Sequence, residues 1–185
     1  MAVAARLFFE QGYAATTIEA IAAQLGVTKP FVYYYFRDKR ALLEAVCWGP
    51  TLEATAAMDF DANDPRPAHR KLACGIARLV ATTLEHHPAS TLPYREQQAF
   101  SPRYRRAHRQ RFDHFYARMC ALLEEAVAAG WCDCEDPKVT ALAAASIPGF
   151  LYTWYRPDGR VPPAVLADQL TRIALRALGA RRRAR

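Results

Sequence analysis

Thr17-Ile18-Glu19-Ala20-Ile21-Ala22-Ala23-Gln24-Leu25-Gly26-Val27-Thr28-Lys29-Pro30-Phe31-Val32-Tyr33-Tyr34-Tyr35-Phe36 reads as two short helices joined by a tight turn. Ile18, Ile21, Ala22 and Leu25 recur at helical spacing and share one face. Thr16 and Thr17 stand just before them, where a hydroxyl can accept a backbone N–H and start a helix. Gly26 follows Leu25 where a helix ends, and glycine takes the positive φ that such an ending uses. Thr28 is placed to cap the next helix. Pro30 falls in its first turn, where a missing N–H breaks no helical bond. Val32 and Phe36 lie four apart and are expected to face inward. Lys29 and Tyr33 share another face, with Phe31, Tyr34 and Tyr35 beside them. A helix that shows an ammonium, phenols and an aromatic ring outward, after a helix and a glycine turn, has the form of a helix-turn-helix.

Those groups suit DNA. A lysine neutralises phosphate, tyrosine hydroxyls donate to phosphate oxygens, and a phenyl ring can touch a thymine methyl.

Outward from that segment, the chain carries a longer pattern. Phe8-Phe9-Glu10-Gln11-Gly12-Tyr13, Ala15-Thr16-Thr17-Ile18, Ile21-Ala22, Leu25-Gly26-Val27-Thr28-Lys29, Tyr33-Tyr34-Tyr35-Phe36 and Lys39-Arg40-Ala41-Leu42-Leu43 follow one another in order. In order and spacing, over roughly residues 4 to 47, they resemble the TetR family of bacterial transcriptional repressors. The resemblance implies a homodimer that binds operator DNA and releases it when a small ligand enters the C-terminal domain. It places Thr17, Thr28, Lys29, Pro30, Phe31, Tyr33, Tyr34, Tyr35 and Lys39 on positions that commonly contact DNA, Lys39 at a phosphate. Where the family usually has an acidic residue to complete the first capping box, this chain has Ala20, so that cap is expected to be weaker. Eleven residues precede Gly12, fewer than family members usually carry.

The 185 residues suffice for a buried core, and 52% of them are apolar. Charges interrupt every apolar stretch well before 18 residues, so no transmembrane helix is expected. The start lacks the basic segment and apolar run of a signal peptide. A cytoplasmic protein with no membrane partner is the expectation. Cys47, Cys74, Cys120, Cys132 and Cys134 are odd in number and irregular in spacing, which suits reduced thiols. The net charge of +7 suits a polyanionic partner. Residues 1–50, however, hold five Lys/Arg and four Asp/Glu, and the excess lies in Arg103, Arg105, Arg106, Arg109 and Arg111 and in a tail from 181 to 185.

Helical spacing recurs to the end and no strand pattern is found, so the expected fold is all-α. A helix-turn-helix DNA-binding domain over 1–47 is followed by a helical effector-binding and dimerisation domain over 48–180, then the basic tail. A helix is expected from Asp38 toward Phe60, and another from Lys71 to His87 that Pro88 stops. A short helix should cover Ala89 to Phe100, and Ser101-Pro102 should open the longest one, ended by Gly130. A helix over 137–156 is expected to kink at Pro148, and the last spans 163–178. In the resembled family the last two helices of each subunit form a four-helix dimer bundle. Here Leu142, Ala145, Leu170, Ile173, Ala174 and Ala177 are the expected interface.

Other chemistry finds little footing. Cys132-Asp133-Cys134 lacks the spacing of a zinc site and no matching pair follows, so neither a metal nor any other cofactor is expected. No glycine loop for nucleotides and no nucleophile setting occurs, which weighs against a small helical enzyme. Trp154-Tyr155-Arg156-Pro157-Asp158-Gly159-Arg160 is similar to a tail of TetR regulators that answer acyl-CoA thioesters. Guanidinium groups pair well with phosphates, so Arg103, Arg106 and Arg109 are candidates for a thioester's phosphates. Phe115, Met119, Phe150 and Trp154 are candidates for its acyl part. The alternative effector is a drug-like or aromatic compound that lifts repression of an efflux gene.

Overall fold

The structure, a computed structural model, describes residues 1–179, and every regular element among them is a helix. The basic tail of 181–185 lies outside the described residues. In chain order the helices are α1 (Ala2–Gln11), α2 (Ile18–Leu25), α3 (Lys29–Tyr35), α4 (Lys39–Thr55), α5 (Ala68–Glu85), α6 (His87–Arg95), α7 (Pro102–Ala128), α8 (Pro137–Gly149), α9 (Leu151–Trp154) and α10 (Pro163–Ala177). Single 3-10 turns follow α4 at Ala56–Met58 and α6 at Gln97–Ala99.

The chain forms two compact units that are not consecutive in sequence. One holds residues 1–52 and 86–109; the other holds 53–85 and 110–179. Each has its own apolar core. In the first unit Phe8, Ile18, Ile21, Val32, Leu42, Leu43, Val46 and Leu92 are buried together, with Phe100 stacked on Tyr104 at 4.5 Å. Burial raises the Tyr104 phenol and the Cys47 thiol well above their ordinary pKa values, so both stay neutral. In the second unit Met58, Leu72, Ile76, Val80, Phe115, Met119, Leu123, Leu151 and Leu178 are buried around Ala141, Ala144 and Ala174.

Local chemistry explains the helix ends. The Thr17 hydroxyl accepts the Ala20 N–H at 3.1 Å, while Ala20 has no side chain to answer, so only half of a capping box forms. Thr16 is buried instead, donating to the carbonyls of Leu7 and Gly12. Gly26 ends α2 at φ 66, its N–H reaching back to Ala22 and Ala23. Thr28 caps α3 and Asp38 caps α4, the latter accepting from Ala41 N–H at 2.7 Å. Ser101 and Asp136 cap α7 and α8 in the same way.

Three expected helices and one side chain are drawn differently. The helix toward Phe60 ends at Thr55 and tightens into a 3-10 turn. Pro88 does not follow a helix stop but sits in the first turn of α6, where its missing N–H is harmless; the break falls at His86. The 137–156 helix runs through Pro148 to Gly149 and is divided at Phe150, where the backbone leaves helical geometry. Leu25, expected on the buried face, is 44% exposed, since α2 ends there and nothing continues over it. Among the described residues no helix is long and apolar enough to cross a membrane.

Candidate nucleic-acid interface

The seven-residue α3 buries one side chain, Val32. Everything else it carries faces outward to some degree: Phe31 is 50% exposed, Tyr34 81% and Tyr35 62%. The rings support one another edge to face, Phe31 on Tyr35 at 5.3 Å and Tyr34 on Tyr35 at 5.0 Å. Edge contacts hold these exposed rings in place and leave the rest of their surface outside. Tyr33 is exposed beside Lys29, whose ammonium lies 5.8 Å from the ring centroid.

Lys29 is ion-paired with Glu19 of α2, and both groups are exposed. Their hydrogen bond lowers the Glu19 carboxyl and raises the Lys29 ammonium from their ordinary values. The pair holds the α3 lysine in one place, and a phosphate or base edge that takes Lys29 must displace a carboxylate. Sequence reasoning missed Glu19. Ten residues separate the two, and only the geometry of the Gly26 turn brings them together.

Thr17, Thr28 and Pro30 are exposed. Both threonine oxygens accept a helix N–H, which leaves each hydroxyl proton available to an outside acceptor. Lys39 departs from the expectation. It is half-buried, and its ammonium donates to the carbonyls of Tyr13, Ala14 and Thr16, so its donors are already occupied. The charge was read correctly from sequence, but its direction was not, because the accepting carbonyls lie more than twenty residues earlier.

The first unit also contains the arginine run of early α7. Arg103, Arg106 and Arg109 are exposed, while Arg105 donates to the carbonyl of Phe100 at 2.6 Å. The other expected effector residues belong to the second unit and do not form one surface. Phe115 and Met119 are sealed in the core, at 1% and 0% exposure, whereas Phe150 and Trp154 are about half exposed. Shape complementarity among buried side chains pulled Phe115 and Met119 inward; a ligand reaching them would have to open the core.

The expected interface residues divide in the same way. Leu142, Ile173 and Ala177 are exposed, whereas Ala145, Leu170 and Ala174 point into the unit's own core. Val139 and Val165, which were not among the expected interface residues, are exposed at 61% and 47%. Along α8 the exposed Val139, Leu142, Ala143 and Ser146 follow helical spacing, as do Val165, Gln169 and Ile173 along α10.

An all-helical chain whose short helix-turn-helix presents aromatic, hydroxyl and ammonium groups outward defines a DNA-binding regulator. Comparison with known proteins agrees. Residues 1–46 match the bacterial regulatory proteins of the tetR family, and residues 65–178 match the Tetracyclin repressor-like, C-terminal domain. The chain belongs to the TetR family of transcriptional regulators, which are DNA-binding transcription factors and not enzymes. The HTH-type transcriptional regulator YerO of Bacillus subtilis (strain 168) is 48% identical over 42 residues, which are 23% of this chain and 14% of that protein. Among solved structures, the TetR family regulator PfmR of Thermus thermophilus superposes with a TM-score of 0.83 at 24% identity, covering 97% of each chain. A TetR/AcrR family regulator of Thermobifida fusca YX-ER1 is 30% identical with a TM-score of 0.70, over 98% of this chain and 96% of that one. AibR, solved in complex with isovaleryl coenzyme A and operator DNA, has a TM-score of 0.73 at 20% identity, over 93% of this chain and 95% of that one.

Proposed function

We propose that this regulator is a cytoplasmic repressor that binds a palindromic operator as a homodimer and leaves it when a small effector binds. The observation that carries the reading is the outward face of α3. Lys29, Phe31, Tyr33, Tyr34 and Tyr35 stand exposed on a helix fixed at both ends, with Thr17, Thr28 and Pro30 exposed beside it. One such helix makes few phosphate contacts, and two half-sites multiply them, which favours a dimer on a two-fold operator. The exposed aliphatic strips of α8 and α10 supply a surface that a second copy can cover. To release DNA, the effector needs to favour one spacing of the two α3 helices by about 1–3 kcal/mol.

For the effector we propose an acyl-CoA thioester. The Trp154-Tyr155-Arg156-Pro157 tail and the exposed Arg103, Arg106 and Arg109 support it, as does the isovaleryl-CoA complex of AibR, which shares the fold. A drug-like or aromatic effector is the second reading. It is favoured by an apolar hollow of about 350 Å³ in the second unit, lined by Ala81, Leu84, Tyr155, Pro163, Ala164 and Ala167, with Glu85 as its one charged wall. The test is to titrate operator complexes with acyl-CoAs, the matching free acids and aromatic cations. Release by thioesters but not acids supports the first reading. Release by acids as readily, or by aromatic cations alone, replaces it with the second.

A further inference from the structure

Lys39 opens α4, and its side chain turns back toward the segment before α2. Its Nζ donates to the carbonyl oxygens of Tyr13 at 2.8 Å, Ala14 at 3.3 Å and Thr16 at 2.9 Å. An ammonium has three N–H donors, and three acceptors meet it. The charge also lies 4.4 Å from the centroid of the Tyr13 ring, within cation–π range. These carbonyls belong to the turn that starts at Gly12, with φ 82, and ends at Thr17, whose hydroxyl begins α2. Other groups grip the same turn. The Tyr13 N–H donates to Glu96 Oε1 at 3.1 Å, and the Thr16 hydroxyl donates to Gly12 and Leu7 carbonyls. Tyr13 is thus held by a cation at its C=O and by an anion at its N–H. Hydrogen bonds to ionised partners are about twice as strong as neutral ones.

The connection has a geometric consequence. Lys39 stands just after α3, and the turn stands just before α2. One side chain therefore closes a ring around the helix-turn-helix, and Glu96, just past α6, holds the same turn through the Tyr13 N–H. We propose that Lys39 is a positioning residue for DNA binding and not a phosphate ligand. It holds the turn before α2 against the start of α4 and so sets the pose from which α3 meets DNA. Glu96 supports the same turn. A phosphate that recruited Lys39 would have to break at least one of its carbonyl bonds.

The proposal rests on the DNA-binding reading of α2 and α3, and its test separates the two. Operator affinity is measured across salt concentrations for the full chain and for Lys39→Met, Lys39→Arg and Glu96→Gln, at a temperature where circular dichroism shows each to be folded. Lys39→Met keeps the aliphatic stem without donors. It should weaken binding about ten-fold or more, the worth of one good base contact, and leave the log–log salt slope unchanged. Lys39→Arg keeps the charge, but its planar fork cannot converge on three carbonyls, so it should also bind more weakly. A slope lowered by about one in Lys39→Met, with affinity retained in Lys39→Arg, would mean a phosphate contact and overturn the proposal. Wild-type affinity in folded Lys39→Met would mean a purely structural role and overturn it equally. Should Lys39→Met not fold, Lys39→Arg and Glu96→Gln decide: weaker binding at unchanged slope is expected, and wild-type affinity in both refutes the positioning role. Nitrogen-15 NMR of the lysine ammonium groups tests the carbonyl cage without DNA. A slowly exchanging Lys39 signal is expected in the free protein, unchanged by operator; one that appears only with operator refutes the cage. Failure of the wild-type chain to bind any DNA would sink the DNA-binding reading while leaving that NMR result to stand.

Discussion

The two units of this chain bury their apolar side chains alike and differ in what they leave outside. In the first, most of the large exposed apolar groups are aromatic, Phe31 and the hydroxyl-bearing Tyr33, Tyr34, Tyr35 and Tyr94, and the aliphatic ones are Met1, Leu25 and Leu52. In the second they are largely aliphatic: Val139, Leu142, Val165 and Ile173, with Phe150 and Trp154. The first kind of surface can bond to a wet, charged partner; the second gains only when water is excluded from it. The means of fixing loops differ too. In the first unit ions do it: Lys39 on three carbonyls, Glu96 on Tyr13, Glu44 on the Ser101 N–H at 2.7 Å, and Arg95 on the Phe9 carbonyl. In the second, ions act as well, Arg66 on Asp64 and Asp136 on the first N–H groups of α8, and close approach to glycine adds to them. A Cβ on Gly75 would meet the Met58 sulfur at 2.5 Å, and one on Gly179 would meet the Asp133 carbonyl oxygen at 2.0 Å.

If that contrast is right, neighbouring residues on α10 should fail in opposite ways. Ala174 is fully buried, so Ala174→Glu forces a carboxylate and its volume into a filled core and should destabilise the second unit by about 4 kcal/mol or more. Ile173→Glu, one residue away and 48% exposed, should leave the melting temperature nearly unchanged and shift sedimentation toward monomer. Equal loss of folding in both variants would erase the distinction between core and outer strip.

Gly179→Ala should come next in size. Its φ of 72 costs an L side chain roughly 1–2 kcal/mol, and the contact with Asp133 adds to that. Thermal melts should show a loss above about 2 kcal/mol, confined to the second unit in hydrogen exchange. Thr28→Ala removes the cap of α3 and should cost about 1 kcal/mol, read in urea melts of the first unit, with weaker operator binding. The smallest effect concerns pH. Burial holds the His108 imidazole below its ordinary value of 6.5, so folding favours its neutral form. That contribution is complete above about 6.5 and is lost as pH falls through the lower, folded value. His108→Gln should flatten this part of the pH–stability curve; an unchanged curve would remove His108 as its source.

Legibility followed the same division. The turn at Gly26, the caps at Thr17 and Thr28 and the early proline of α3 are decided within a few residues, so the sequence displayed them directly. The faces of α8 were not displayed, because the usual pattern is inverted there. Ala141, Ala144 and Ala145 are buried where the helix lies close to its neighbours, while the larger Val139 and Leu142 are left outside. Ala145 on α8, and Leu170 and Ala174 on α10, expected at an interface, are buried within their own unit.

The sequence by itself determined the all-helical class and the helix-turn-helix, since these depend on periodicity, capping and turn chemistry acting over one or two helical turns, and its ordered motifs carried the resemblance to the family. Tertiary structure alone decided that residues 86–109 join the DNA-binding unit, that Glu19 meets Lys29, and that Lys39 faces the turn before α2. Those outcomes depend on which distant groups become neighbours once the cores close, and a charge on a flexible stem takes the strongest partner that the closed chain brings within reach.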